Sequence, residues 1–293
     1  MNKYVTIGIT NMLLPYNGLN VPVKLGNGVQ LELFEHWYDR LKLENIFPSE
    51  TFPHIKRRNY VYTYNSEKCD EYEALELLTI ASLSIWLVKP TDVGFDYFVK
   101  ARYNRDWKYN GHSYSNTMIN SYDTDEIRIN ETDLIIANKI NENIYHDVIS
   151  QDIDNINSLR IAIWSLFKAI TTDMHSIPIR YLILWVAFEA IFGPKKNGNI
   201  KEKIATRHSK FMSNSDENIR NELYEKTRKG YKWRSKIVHG DQIGSKNFRG
   251  EEFSDIYKFT ETSIRESIKK ILLDNNSVKI FCSDEREKYL DNL

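Results

Sequence analysis

The chain has 293 residues, 41% apolar, 27% charged and 13% Tyr, Trp or Phe. That composition supports a packed core and excludes a disordered chain, and the length predicts two domains. Lysine plus arginine and aspartate plus glutamate number 40 each, so no global field draws the protein to nucleic acid or an anionic membrane, and any such contact must come from a local patch.

The first residues, MNKYVTIGITNMLLPYNG, hold no basic segment followed by a sustained apolar stretch and a small-residue cleavage site, so a cytoplasmic protein is expected. Residues 1 to about 65 read as short extended pieces: "YVTIGIT", "VPVKL" and "VQLELF" are separated by Asn-Gly turns and by Pro15, Pro22, Pro48 and Pro53. A helix is predicted from Asp70 to Val88, stopping before Lys89–Pro90, and "FDYFVKARYN" reads as a further strand. From Ile129 to about Asn275 the pattern is helical. Helices are predicted over Glu131–Ser150, Ile153–Thr172, Pro178–Phe192, Ile200–Met212, Asp216–His239 and Glu251–Asp274, with Ser176 capping the third and Pro178 in its first turn.

The expected fold class is therefore α+β, with a mixed β-rich domain over residues 1–128 and an all-α helical bundle over 129–293. The most apolar runs, Leu77–Val88 and Tyr181–Gly193, fall short of the roughly 20 residues that span a bilayer, so no membrane partner is expected. Cys69 and Cys282 lie far apart in no metal-ligand spacing and read as free thiols. No metal and no cofactor is expected, and no Gly-rich phosphate loop with its lysine is found.

The segment "KWRSKIVHG" places Arg234 and His239 five positions apart, just before Gly240. A second arginine–histidine pair, Arg105 and His112 with six residues between them, flanks the turn signal Asn110–Gly111 and is read as coincidence. Context sets the first pair apart. Lys226, Arg228, Lys229, Lys232, Arg234 and Lys236 fall within fifteen residues that hold no acid. Tyr231 and Trp233 add flat rings, so the run offers cations for phosphates and surfaces on which bases stack. The alternative is a solvated helix face with two core aromatics.

His239 is expected at the helix C-terminus, where the dipole favours a cationic imidazole. Residues five apart on one helix point about 140° away from each other, so one helix does not aim both side chains at one phosphate. Either the helix frays there or a second copy of the site completes it. Glu189, the one charge in "YLILWVAFEAIF", demands a cation, and Arg234 and Arg207 are the natural partners. It either orients the arginine at the site or forms a structural pair between two helices. Lys195 and Lys196 in the following loop are further candidates for phosphate contact.

"RSKIVHG" near the end of a helix, preceded by "LWVAFEAIFG" on an earlier one, resembles the HEPN ribonuclease superfamily, most closely its Apea-like group of prokaryotic defence proteins. The resemblance covers residues 130 to 275. Arg234, Ser235 and His239 match its arginine-to-histidine signature at the shortest spacing, with Ser235 departing from the usual asparagine, aspartate or histidine. It implies a metal-independent endoribonuclease acting as a toxic antiphage effector, with two copies of the motif facing each other across a homodimer. The implied partner is RNA, transfer RNA among the candidates. The N-terminal domain is then a sensor or regulatory element for a phage-derived trigger.

The implied roles are proton transfer for His239 and charge stabilisation for Arg234, with Glu189 third. Lys236, Tyr231, Trp233, Lys232, Lys229, Arg228, Lys195 and Lys196 would contact RNA. Two other readings stand beside this one: a non-catalytic RNA- or protein-binding module, and a helical domain whose basic helix pairs with an acidic chain.

Overall fold

The computed structural model describes residues 3–10, 19–43, 60–67, 71–91, 93–104, 106–114, 128–149, 156–171, 176–195, 198–240, 248 and 250–293. Cys69, Arg105 and Lys196 lie outside them. The fold is α+β and divides into two compact units, Met1–Tyr145 with Thr171–Asp173 and His146–Ile170 with Met174–Leu293. No helix among the described residues is long and apolar enough to cross a membrane.

The first unit is built on six antiparallel strands: β1 (Lys3–Thr10), β2 (Val23–Gly26), β3 (Val29–Leu33), β4 (Tyr60–Ser66), β5 (Phe95–Asn104) and β6 (Asp106–Tyr114), in the order β2-β3-β4-β1-β5-β6. β1 is central and buried on both faces from Val5 to Thr10. Its period-2 alternation sends Val5, Ile7 and Ile9 to one side, where they pack with Phe34, Trp37 and Leu41 of α1 (Phe34–Leu41). Gly8 points the other way, toward Phe95 and toward Leu78 of α2 (Glu71–Val88), and a Cβ there would lie 3.0 Å from the Phe95 ring.

Two details depart from expectation. "VQLELF" gives a strand only as far as Leu33, and helix α1 then follows, with Glu32 accepting hydrogen bonds from Trp37 Nε1 (3.2 Å) and Thr63 Oγ1 (2.6 Å). Asn110–Gly111 is not a turn but a bulge inside β6, because Lys100 pairs with Gly111 and Ala101 with Tyr109.

Helix α3 (Glu131–Asn143) opens with a capping box between Asn130 and Asp133. Asp133 also takes the Lys89 ammonium at 2.7 Å, and Asn141 bonds Leu25 O and receives Asn27 Nδ2 at 2.9 Å. Those ties hold α3 to α2 and to the β2–β3 turn, so it belongs to the first unit. The division between units falls after Tyr145, within the π-helical turn Ile144–Ile149, and not at 128/129.

Among the described residues the second unit is all-helical: α4 (Ser158–Ile170), α5 (Ile177–Phe192), α6 (Ile200–Met212), α7 (Glu217–Val238), α8 (Glu251–Leu273), α9 (Asn275–Phe281) and α10 (Arg286–Asp291). The last two lie beyond the predicted helical stretch. Ser176 occupies the N-cap of α5 but its side chain makes no capping bond, and Pro178 in the first turn leaves one backbone donor fewer to satisfy. Helix α5, apolar but for Arg180 and Glu189, is central, burying Tyr181, Trp185, Phe188 and Phe192, while Ile179 and Val186 stay 46% and 49% exposed.

Candidate nucleic-acid interface

Helices α5 and α7 meet at Gly230. Tyr181 donates its hydroxyl to Gly230 O at 2.8 Å, and a Cβ on Gly230 would lie 2.9 Å from the Trp185 ring. The close approach requires a residue with no side chain at that point. Burial among Trp185, Phe253 and Tyr257 pushes the Tyr181 hydroxyl's ionisation well above its ordinary range, so it acts as a neutral tether.

One turn along each helix from this contact, Arg234 reaches Glu189. Nε lies 3.0 Å from Oε1 and Nη2 donates to Oε2 at 3.5 Å. The guanidinium also sits over the Tyr231 ring at 5.6 Å, and that ring stands edge-on to Trp185 at 5.5 Å. Partial burial raises the Glu189 carboxyl above its usual range, against the opposing pull of Arg234. Arg234, not Arg207, is thus the partner of Glu189. Arg207 is 2% exposed and turns to Glu287 (3.1 Å), Asp291 (2.8 Å) and the carbonyl of Phe192 (3.1 Å). Arg286 donates to Ile191 O at 2.6 Å, so two arginines satisfy the carbonyl end of α5.

His239 is the C-cap of α7, exposed, with its N–H bonded to Ser235 O at 3.0 Å. Gly240 follows at φ +67°, the left-handed conformation that ends a helix, as its position in the sequence predicts. The helix does not fray before His239. Among the described residues no hydrogen bond or ion pair joins Arg234 to His239: the arginine is turned to α5 and the histidine lies at the open end.

The basic run is less bare than the sequence suggests, because the fold brings acids to it from other turns and helices. Lys226 pairs with Glu222 at 2.6 Å, Arg228 with Glu202 at 2.9 Å and with Glu225, and Lys229 with Glu252 at 3.0 Å. Lys232 and Lys236 have no acidic partner among the described residues, though Lys236 Nζ lies over the Trp233 ring at 5.2 Å. Trp233 is only 8% exposed, packed on Phe248 and Phe253, so the base-stacking surface expected of it is closed. Tyr231 is half-buried and is engaged by Trp185 and Arg234. The Lys195 ammonium pairs with Asp284 at the surface, and its backbone N–H donates to Glu287 Oε1 at 3.3 Å.

Sequence reasoning passed over Lys258, exposed on α8 across from the α7 lysines. It sits outside the basic run, and only packing brings it near. Comparisons of this chain with family models, curated proteins and solved structures find no match.

Proposed function

We propose that the second unit is a metal-independent endoribonuclease of the HEPN type, serving as the toxic effector of an antiphage system under control of the first unit. The observation that carries this reading is the held arginine. Arg234 is half-buried, fixed by a carboxylate and an aromatic ring, and five residues before an exposed histidine at a helix C-terminus. A guanidinium pre-set in this way stabilises charge that develops on a phosphate without reorganising at the moment of reaction.

In this reading an imidazole takes the proton of a ribose 2′-hydroxyl, whose oxygen attacks the adjacent phosphorus. Arg234 balances the charge on the phosphorane, the bond to the 5′-oxygen breaks, and that oxygen receives a proton from an imidazolium. The products are a 2′,3′-cyclic phosphate and a 5′-hydroxyl end, and DNA is not a substrate. Because Arg234 and His239 lie on different sides of α7, the phosphate takes its arginine from one chain and its histidine from a second copy.

The test is incubation of the protein and its His239→Ala variant with cellular RNA in EDTA, followed by mapping of the product ends. Cleavage by the wild type alone, leaving cyclic phosphates, supports the proposal. Cleavage that the variant retains, or folded dimers that never cleave, counts against it. A non-catalytic RNA- or protein-binding module is the second reading, and the separation of Arg234 from His239 within one chain favours it. Under it the same variants weaken binding slightly and no products form.

A further inference from the structure

Grooves of about 390 and 440 Å³ run along the seam of α7 and α8 and share Lys226, Lys229 and Glu252. Among the described residues their walls hold six lysines or arginines against three carboxylates. Lys226, Arg228 and Lys229 are paired with acids, whereas Lys232, Lys236 and Lys258 have no acidic partner among the described residues.

At about 100° per residue, Lys229, Lys232 and Lys236 fall on one stripe of α7, and His239 continues it. Arg234 lies on the opposite side, and the contacts agree: Lys229 reaches Glu252 of α8 while Arg234 reaches Glu189 of α5.

Resting on the RNA-directed reading above, we propose that this α7–α8 seam is a separate binding track for the backbone of a single-stranded nucleic acid, holding the stretch that flanks the reactive phosphate. Three features select that ligand. Lysine ammoniums act as point charges that neutralise phosphates without reading bases. The open lysines line grooves along the single seam between two packed helices, a linear path that one strand can follow. From Lys229 to His239 the helix rises about 15 Å, room for a few phosphates of an extended strand. With the Trp233 ring closed, recognition is through the backbone and tolerant of sequence.

The experiment uses a fluorescent all-deoxy strand of about twelve nucleotides, which lacks the 2′-hydroxyl and stays intact, titrated with the full chain at several salt concentrations. The variant Lys232→Ala/Lys236→Ala/Lys258→Ala is expected to bind about tenfold more weakly. Its log affinity should fall less steeply with log salt by about 2, or about 0.7 per lysine on a single strand. The triple arginine variant should restore binding, which separates charge from folding.

Unchanged binding by the alanine variant overturns the proposal, as does failure to bind the strand while polyglutamate binds. The two readings fail separately. Salt-steep binding that the lysines control, with RNA never cleaved, keeps the track and removes the nuclease. RNA cleaved and bound equally well by the alanine variant removes the track and keeps the nuclease.

Discussion

The Arg234 guanidinium and the Glu189 carboxylate form an interhelical ion pair, Nε to Oε1 at 3.0 Å, with side chains 27% and 32% exposed. Water therefore screens the pair, and Glu189→Gln should cost only about 0.5–1 kcal/mol of stability. Its effect on RNA cleavage should be larger, roughly ten- to a hundredfold, because the arginine loses its fixed direction. Thermal unfolding and cleavage rates measured on one preparation test this. Equal small losses in both would make the pair purely structural.

If the phosphate is met by Arg234 of one chain and His239 of another, two inactive variants should rescue each other. An equimolar mixture of Arg234→Ala and His239→Ala, unfolded and refolded together, should recover about a quarter of wild-type activity, since half the symmetric dimers are mixed and each holds one intact site. No recovery, with mixed dimers demonstrated by mass, would place the site within one chain.

Gly230→Ala should destabilise despite adding a better helix former. Alanine gains up to about 1 kcal/mol in propensity. The new methyl meets Trp185 at 2.9 Å and the Tyr181 hydroxyl at 3.2 Å, and overpacking of that kind costs about 1–3 kcal/mol. A net fall in Tm of a few degrees and a changed tryptophan near-ultraviolet signal are expected.

His208 is fully buried among Phe188, Phe192 and Phe259, with Nδ1 2.8 Å from Thr227 Oγ1. Burial lowers its pKa to about 3, against about 6.5 in the unfolded chain. The unfolded state therefore binds the extra proton first as pH falls. The stability is present in full above pH 6.5 and is lost toward pH 3, by up to about 1.4 kcal/mol per pH unit from this residue. Denaturant titrations from neutral to acid pH should show that slope, and His208→Leu should flatten it.

Arg207 is buried and relies on Glu287 and Asp291 of α10. Its charge holds the Glu287 carboxyl below the usual range, with the Arg207 hydrogen bond the largest cause. Removing both acids by Glu287→Ala/Asp291→Ala strands a buried cation, at a cost of about 3 kcal/mol. Arg207→Met in that background should recover part of the loss. Urea midpoints of the three proteins measure it.

The sequence alone determined what local periodicity and local chemistry encode. The 13-residue helix Ile200–Met212 is as predicted because its apolar spacing needs no partner to be read, and Gly240 ends α7 because the left-handed turn favours glycine. Glu189 was legible as a residue in need of a cation, since a lone carboxylate on an apolar helix is costly wherever it lies. Tertiary structure decided which cation. Arg207 and Arg234 are equivalent in sequence, and only the crossing of α5 and α7 at Gly230 brings the second one to Glu189.

Packing likewise put α3 with the sheet, through Lys89 and Leu25, and closed the Trp233 ring against Phe253. It also set Glu202 and Glu252 against a run of fifteen residues that holds no acid of its own. Charge density along a chain is a local property. The field on a surface sums over every element packed beside it, so the number of open lysines on α7 depends on the fold.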